Sequence, residues 1–160
     1  MNEVREVCLQ KMTAVEYDAF RVRCLCDYPD DVAKASGASP ELATEFGKKQ
    51  FEEMLPAGME TPNYFFFRIL EAGVPVGDLW YQLKDTFELK RVFVCDIYIN
   101  QDCRGRGLGK VVMKLLESQA VELGATQIIL HVFAHNPQAR RLYQALGFYE
   151  TNINMRKDLG

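Results

Sequence analysis

The spacing of apolar residues changes repeatedly along the chain, and each change marks a predicted element. Residues 4–12, VREVCLQKM, predict a first strand. Thr13 with Glu16 three residues later is the pattern of a capping box, so a helix is expected to start there. Helical spacing then fills residues 14–34 and 40–55, with breaks at DYPDD and SGASP, each carrying a proline. From Asn63 the composition turns aromatic and β-branched: NYFFFRIL, the turn EAGVP and VGDLWYQL predict a hairpin. KRVFVCDIYI is almost wholly apolar, which predicts a strand in the sheet interior. Leu108, Val112, Leu115, Leu116, Ala120 and Leu123 recur at helical spacing up to Gly124, a C-terminal cap. QIILHVF predicts a buried strand. Asn136 caps a short helix with Pro137 at its first position, ARRLYQAL runs to Gly147, and FYETNINMRK predicts a last strand. The order is strand, two helices, three strands, helix, strand, helix, strand, without repeats or low-complexity segments. It predicts one mixed domain over residues 1–160.

Composition narrows the class of protein. A chain of 160 residues, 48% hydrophobic and 26% charged, can bury a core of its own. No apolar run approaches a membrane span, and MNEVREVCLQK mixes acids and bases where a secretory leader has a basic start and an apolar core. The expectation is a cytoplasmic protein without a membrane partner. A net charge of -3 speaks against nucleic acid as a partner. The five cysteines lack framework spacing, and Cys24-x-Cys26 is too tight for a zinc knuckle, so reduced thiols and no metal are expected.

The stretch with the strongest chemical content is CRGRGLGKVV, residues 103–112. It turns a buried strand into a helix, and its glycines let a ligand approach the main chain without meeting a Cβ. Unpaired amides in the first helical turn and the positive end of the helix dipole make an anion site, with Arg104, Arg106 and Lys110 adding mobile positive charge around it. Phosphate is the expected guest. Two familiar phosphate loops fail on spacing. A P-loop needs glycine and Ser/Thr where Arg104 and Val111 stand. The dinucleotide fingerprint separates its second and third glycines more widely than Gly107 and Gly109 are separated.

Arg104 to Gly109 follows the pattern Arg/Gln-x-x-Gly-x-Gly/Ala, behind the strand end DIYI and ahead of N-x-x-A-x-x-L-Y-x-x-x-G-F from Asn136 to Phe148. In this the chain resembles the GNAT superfamily of acetyl-CoA-dependent N-acetyltransferases over about residues 63–157. FVCDIYINQDCRGRGLGK and LHVFAHN are similar to its YycN-like bacterial branch. The first 60 residues match only in layout. The resemblance implies an α+β fold: a mixed, mainly antiparallel sheet of about six to seven strands with splayed central strands, flanked by about four helices. It implies that Arg104, Gly105, Arg106, Gly107, Leu108, Gly109 and Lys110 hold the pyrophosphate of acetyl-CoA, that main-chain groups of Ile97, Tyr98 and Ile99 pair with its pantetheine arm at a bulge, and that Asn136 contacts the same arm.

The reaction implied is direct attack of a primary amine on the acetyl thioester. An alkylammonium titrates near about 10.4, so a group must take its proton, and the departing thiolate must be stabilised. Tyr143, two helical turns after Asn136, occupies the position of the family's acid. His131 and Asp96, one on each side of the splay, are the candidate bases, Asp96 also as an anchor for a cationic amine. Each has a plain structural alternative: a core tyrosine, a helix cap, a satisfied histidine, a local hydrogen-bonding aspartate. His135, four residues after His131, is on strand and loop, where an H-x-x-x-H metal site does not form. The acceptor is expected to be a small cationic or a peptide amine. Residues 27–60 carry eight carboxylates against three lysines, which suits a cation and equally suits solvated helix faces. The alternative function is a non-catalytic acyl-CoA-binding sensor module, and a monomer and a homodimer are both compatible with the sequence.

Overall fold

The computed structural model describes residues 6–160. Strand β1, Val7–Lys11, leads into α1, Ala14–Ser36, and α2, Pro40–Met54. The hairpin β2, Tyr64–Glu71, and β3, Val74–Thr86, is followed by β4, Leu89–Ile99. Then come α3, Leu108–Glu122, β5, Gln127–Leu130, and α4, Pro137–Ala145. Sheet order is β1-β2-β3-β4-β5, antiparallel except for the parallel β4–β5 pair.

The caps form as their residues dictate. The Thr13 hydroxyl accepts from Glu16 N while the Glu16 carboxylate accepts from Thr13 N at 2.8 Å, satisfying two amides at the start of α1. Gly124, at φ 75°, ends α3, and Ala125 N donates back to Ala120 O as a left-handed cap requires.

Two cores cover the sheet. On one face α3 and α4 bury Val112, Met113, Leu116 and Tyr143 against Ile69, Leu79, Val92 and Val94. On the other, α1 and α2 bury Tyr17, Phe20 and Leu55 against Phe66 and Trp80 in an aromatic cluster, with Phe20 edge-on to Trp80 at 5.7 Å.

Three expectations are corrected. The proline in DYPDD does not break α1, because Pro29 is buried inside the helix, where its ring lies 3.4 Å from the position a Cβ on Gly47 of α2 would take; tight packing between the helices outweighs the amide lost at Pro29. QIILHVF is strand only to Leu130. Residues 148–160 form no strand, so the sheet has five strands among the described residues and not six to seven. The alternation in that last stretch is real, but Tyr149, Ile153 and Met155 are all exposed, and the segment's side chains turn elsewhere, Glu150 to Arg140 and Arg156 to Ala35 O. The start of the predicted first strand, Val4 and Arg5, lies outside the described residues.

β3 and β4 approach closely at Gly77, where a Cβ would lie 2.1 Å from Tyr98 O and 3.2 Å from Ile69 Cδ1. Gly77→Ala is expected to cost about 3 kcal/mol through overpacking, read as a lower urea midpoint at unchanged m-value. A midpoint equal to the wild type's would show that this contact does not constrain the strands.

Candidate active site

The site begins as a defect in β4. Trp80 of β3 faces Asp96 and Tyr81 faces Val94, which leaves Cys95 as the extra residue of a bulge. The bulge re-aims the strand, so that Val94 before it and Ile97 and Ile99 after it all reach the α3 side, while Asp96 meets Arg23 of α1 on the other face. At the same point the parallel partner gives out. Pairing with β5 runs from Arg91↔Gln127 to Val94↔Leu130 and stops, whereas β4 continues against β3 to Ile99. Asn100 N donates to Val76 O at 2.8 Å, so by antiparallel alternation the main-chain groups of Ile99 point away from β3 into the gap. The splay expected at Ile97, Tyr98 and Ile99 is therefore present in the backbone, but it frees the main-chain groups of Ile97 and Ile99 only, since the same alternation turns those of Tyr98 toward Asp78 in β3.

At the mouth of the gap lies the glycine loop. Gly105 and Gly107 have φ of 73° and 78°, and a Cβ on either would meet nothing within 4 Å, so the space above the loop is open. Gly107 caps α3 without a side-chain hydrogen bond, leaving the first-turn amides of Leu108, Gly109 and Lys110 for an external acceptor. Gly109 serves packing instead: its Cβ would lie 3.0 Å from Leu142 of α4. Two of the three cations expected to be mobile are engaged. Arg104 Nε donates to Ile99 O at 2.8 Å and Arg106 pairs with Glu71 at 2.6 Å, while Lys110 is exposed.

α4 supplies a capping asparagine and a buried tyrosine. Asn136 Oδ1 accepts from Ala139 N at 3.2 Å, confirming the cap. Two turns later Tyr143 is 8% exposed, its ring 5.6 Å from that of Phe148. Burial, with the Asp96 charge adding to it, pushes its hydroxyl up to about 12, so it carries its proton throughout the neutral range.

On the α1 side, Arg23 Nη2 lies 2.6 Å from Asp96 Oδ2 and its Nε 3.5 Å from Asp78, which is itself bound by Arg68 at 2.7 Å. Burial works against the Arg23 charge, but Asp96 and Asp78 outweigh it and hold the guanidinium above its ordinary value. Burial pushes the Asp96 carboxyl up, and Arg23 pulls against that shift. Asp96 is thus part of an ion pair and does not stand alone as a base. The neighbouring thiols are suppressed: burial raises Cys24 and takes Cys95 up to about 12.

His131 is exposed, directly beyond the end of β5, with its ring edge-on to Phe133 at 4.8 Å. Leu130 and Val132 pack on the α3 side, so alternation sends His131 to the Asp96 side. His135 bonds Asp31 of α1 at 2.8 Å, and no group of three or more ligands able to hold a metal occurs among the described residues. Nor, among these residues, is any helix long and apolar enough to cross a membrane. Arg23, Asp78 and Arg68 escape a reading of motifs. The signal available was Arg23 itself, a charge three residues after Phe20 on the helix face that buries Tyr17 and Phe20.

The described residues thus combine a sheet parted beside a bulge, an open glycine turn and a buried tyrosine. The chain matches the acetyltransferase (GNAT) family over residues 31–148. It is 34% identical over 152 residues to the uncharacterized N-acetyltransferase YdgE of Bacillus subtilis, covering 94% of this chain and 97% of that one. To YycN of the same organism it is 32% identical, and the crystal structure of YycN superposes with a TM-score of 0.91 over 96% of this chain and 98% of that one. A thialysine N-epsilon-acetyltransferase of Bos taurus is 34% identical over 97 residues, 55% of this chain and 57% of that one. The chain belongs to the GNAT acetyltransferase family and is an enzyme of the N-acetyltransferase class.

The difference in phenolate absorbance between the wild type and Tyr143→Phe tests the state of the buried hydroxyl. It is expected to stay flat through pH 10 and rise only toward about 12. An ionisation assigned to Tyr143 near 10 or below would mean that the ring is hydrated.

Proposed function

We propose that the protein transfers the acetyl group of acetyl-CoA to a primary amine, the thioester lying in the gap between β4 and residues 131–133. The observation that carries this reading is the parting of the strands beyond Val94↔Leu130 beside a bulge, with the open turn of Gly105 and Gly107 at its mouth. The loop fits a pyrophosphate, because first-turn amides of α3 face a space that any side chain at Gly105 or Gly107 would enter. Main-chain groups of Ile97 and Ile99 pair with the pantetheine arm, with the Asn136 side-chain nitrogen on the opposite side. Binding there requires Arg104 to give up Ile99 O, which places its guanidinium beside the phosphates.

The two faces of the sheet divide the proton chemistry. Tyr143 comes from the α4 side, His131 and Asp96 from the α1 side, so leaving group and nucleophile are served from opposite directions. The ammonium first gives one proton to His131, directly or through water, which frees the nitrogen lone pair; the amine then forms the C–N bond, the C–S bond breaks with its electron pair going to sulfur, and the second proton leaves the nitrogen for the thiolate. Asp96, held by Arg23, anchors the incoming ammonium. Tyr143 serves the sulfur. A hydroxyl at about 12 facing a thiol near about 8.5 would surrender its proton uphill by roughly 3.5 units, about 5 kcal/mol. Its role is then to donate a hydrogen bond to the departing thiolate, full protonation following once the amine proton is released.

The acceptor fits a cationic amine on a flexible chain. Asp27, Asp31 and Asp96 lie on the open α1 side, and one relative is named for the ε-amine of thialysine. Calorimetric titration with acetyl-CoA, followed by CoA release with thialysine and a panel of polyamines and peptides, tests the reading; binding without turnover on any amine would return the protein to the role of an acyl-CoA sensor. Tyr143→Phe is expected to lower kcat about 100-fold with acetyl-CoA affinity unchanged, and wild-type turnover would remove Tyr143 from the reaction. Gly107→Glu puts bulk and negative charge over the α3 amides and is expected to abolish acetyl-CoA binding in the same titration. Retained affinity would refute the loop as the phosphate site.

A further inference from the structure

Between α1 and the splayed end of β4 lies a chain of alternating charges, and the anchoring role of Asp96 does not by itself explain why so many groups converge on Arg23. Arg68 holds Asp78 at 2.7 Å, Asp78 lies 3.5 Å from Arg23 Nε, and Arg23 Nη2 holds Asp96 at 2.6 Å. The Arg23 guanidinium also lies over the Tyr98 ring at 4.0 Å and near the Phe20 ring at 5.5 Å, and its Nη1 is 3.6 Å from Asp27. Its side chain is 19% exposed. Such a position is expensive for a cation and is held here from four sides.

What the cluster does to Asp96 is specific. Arg23 takes Oδ2, and the Cys24 thiol lies 4.0 Å from the same oxygen. The Asp96 side chain nevertheless keeps 29% of its surface exposed, so the carboxylate has room for a second partner. Stacking on Tyr98 fixes Arg23 to the residue between Ile97 and Ile99, whose main chain lines the gap. A planar fork that pairs and stacks at once suits this place, and a lysine does not reproduce it.

The geometry points to Arg23 as a positioning residue: it ties the bulged end of β4 to α1 and holds the Asp96 carboxylate so that its second oxygen receives the cationic group of the acceptor. This rests on the acetyl-transfer reading above. Arg68 stays with Asp78 when Arg23 is removed, so Asp96 is the group that loses its cation. The other groups near Asp96 are Cys24 and Asp27 from α1, Asp78 from β3 and Tyr143 from α4, none of them cationic, together with His131 beyond β5 on the same face, an exposed imidazole that does not replace the buried Arg23 pair. Without Arg23, Asp96 would therefore take up a proton at higher pH, and the acid limb of the pH profile would move upward.

The chain carries its own reporter. Trp80, its one tryptophan, faces Asp96 across β3 and β4. Trp80 emission is followed against pH in the wild type, Arg23→Met, Arg23→Lys, Asp96→Asn and the Arg23→Met/Asp96→Asn double variant, without any substrate. kcat/KM is measured with acetyl-CoA and thialysine across the same range. In Arg23→Met the emission step should move up by about one pH unit or more and vanish in both variants lacking Asp96. kcat/KM should fall about 100-fold, with an acid limb displaced in parallel, a partial return in Arg23→Lys, and no further loss in the double variant, which also removes the uncompensated carboxylate. An unmoved emission step, or losses that multiply in the double variant, would reduce Arg23 to a packing residue and overturn the proposal. If the wild type binds no acetyl-CoA and releases no CoA, the acetyl-transfer reading falls, while a shifted emission step still upholds the hold of Arg23 on Asp96.

Discussion

Everything in the site follows from the loss of strand pairing beyond Val94 and Leu130. A strand that continues without one neighbour leaves amides and carbonyls on that side that β5 does not satisfy, and such groups take a partner wherever one is offered. β4 can afford this only because β3 pairs with it as far as Ile99 and because Gly77 lets the two backbones close. In the structure Arg104 supplies one missing partner by donating to Ile99 O. An extended, amide-bearing arm supplies the same kind of bond, which is why a parted sheet is a natural seat for a pantetheine chain.

The bulge at Cys95 does a second thing. By shifting side-chain direction along β4, it sends Asp96 to the α1 face while Ile97 and Ile99 stay in the core against α3. The gap is thereby given two chemically different sides. One is dry and holds a tyrosine that keeps its proton; the other is ionic and wetter, with Arg23, Asp96 and the exposed His131. For the proposed transfer, which delivers a proton to sulfur and removes one from nitrogen, that separation keeps the two groups from neutralising each other. Charge is arranged to match: Asp96 adds to the burial that raises Tyr143, so the same carboxylate that suits an ammonium also keeps the phenol protonated.

Legibility in the sequence tracked the range of the forces involved. The capping box at Thr13, the left-handed end of α3 at Gly124, the Asn136–Pro137 start of α4 and the hairpin through EAGVP were all readable, because each is settled within a few residues. The glycine loop was readable for the same reason, although Gly109 proved to belong to the α3–α4 contact. Less was readable where a distant surface decided. Pro29 sits inside α1 because α2 presents Gly47 to it, and FYETNINMRK alternates like a strand but forms none, with Tyr149, Ile153 and Met155 left exposed. Arg104 and Arg106 looked mobile in a local reading and are engaged by Ile99 O and Glu71, partners 5 and 35 residues away.

The sequence by itself determined the element order, the caps, the turn that opens an anion site, and the residues Asp96, His131, Asn136 and Tyr143 as chemical candidates. These depend on backbone preference and on periodicity, which act at short range. Only the tertiary structure decided where β5 ends, how far β4 runs without it, and which faces the candidates occupy. It alone joined Arg23 to Asp96, residues 73 positions apart. The physical reason is that an ion pair, a register and the width of a gap are properties of surfaces brought together by burial, and no local window of the chain contains both surfaces.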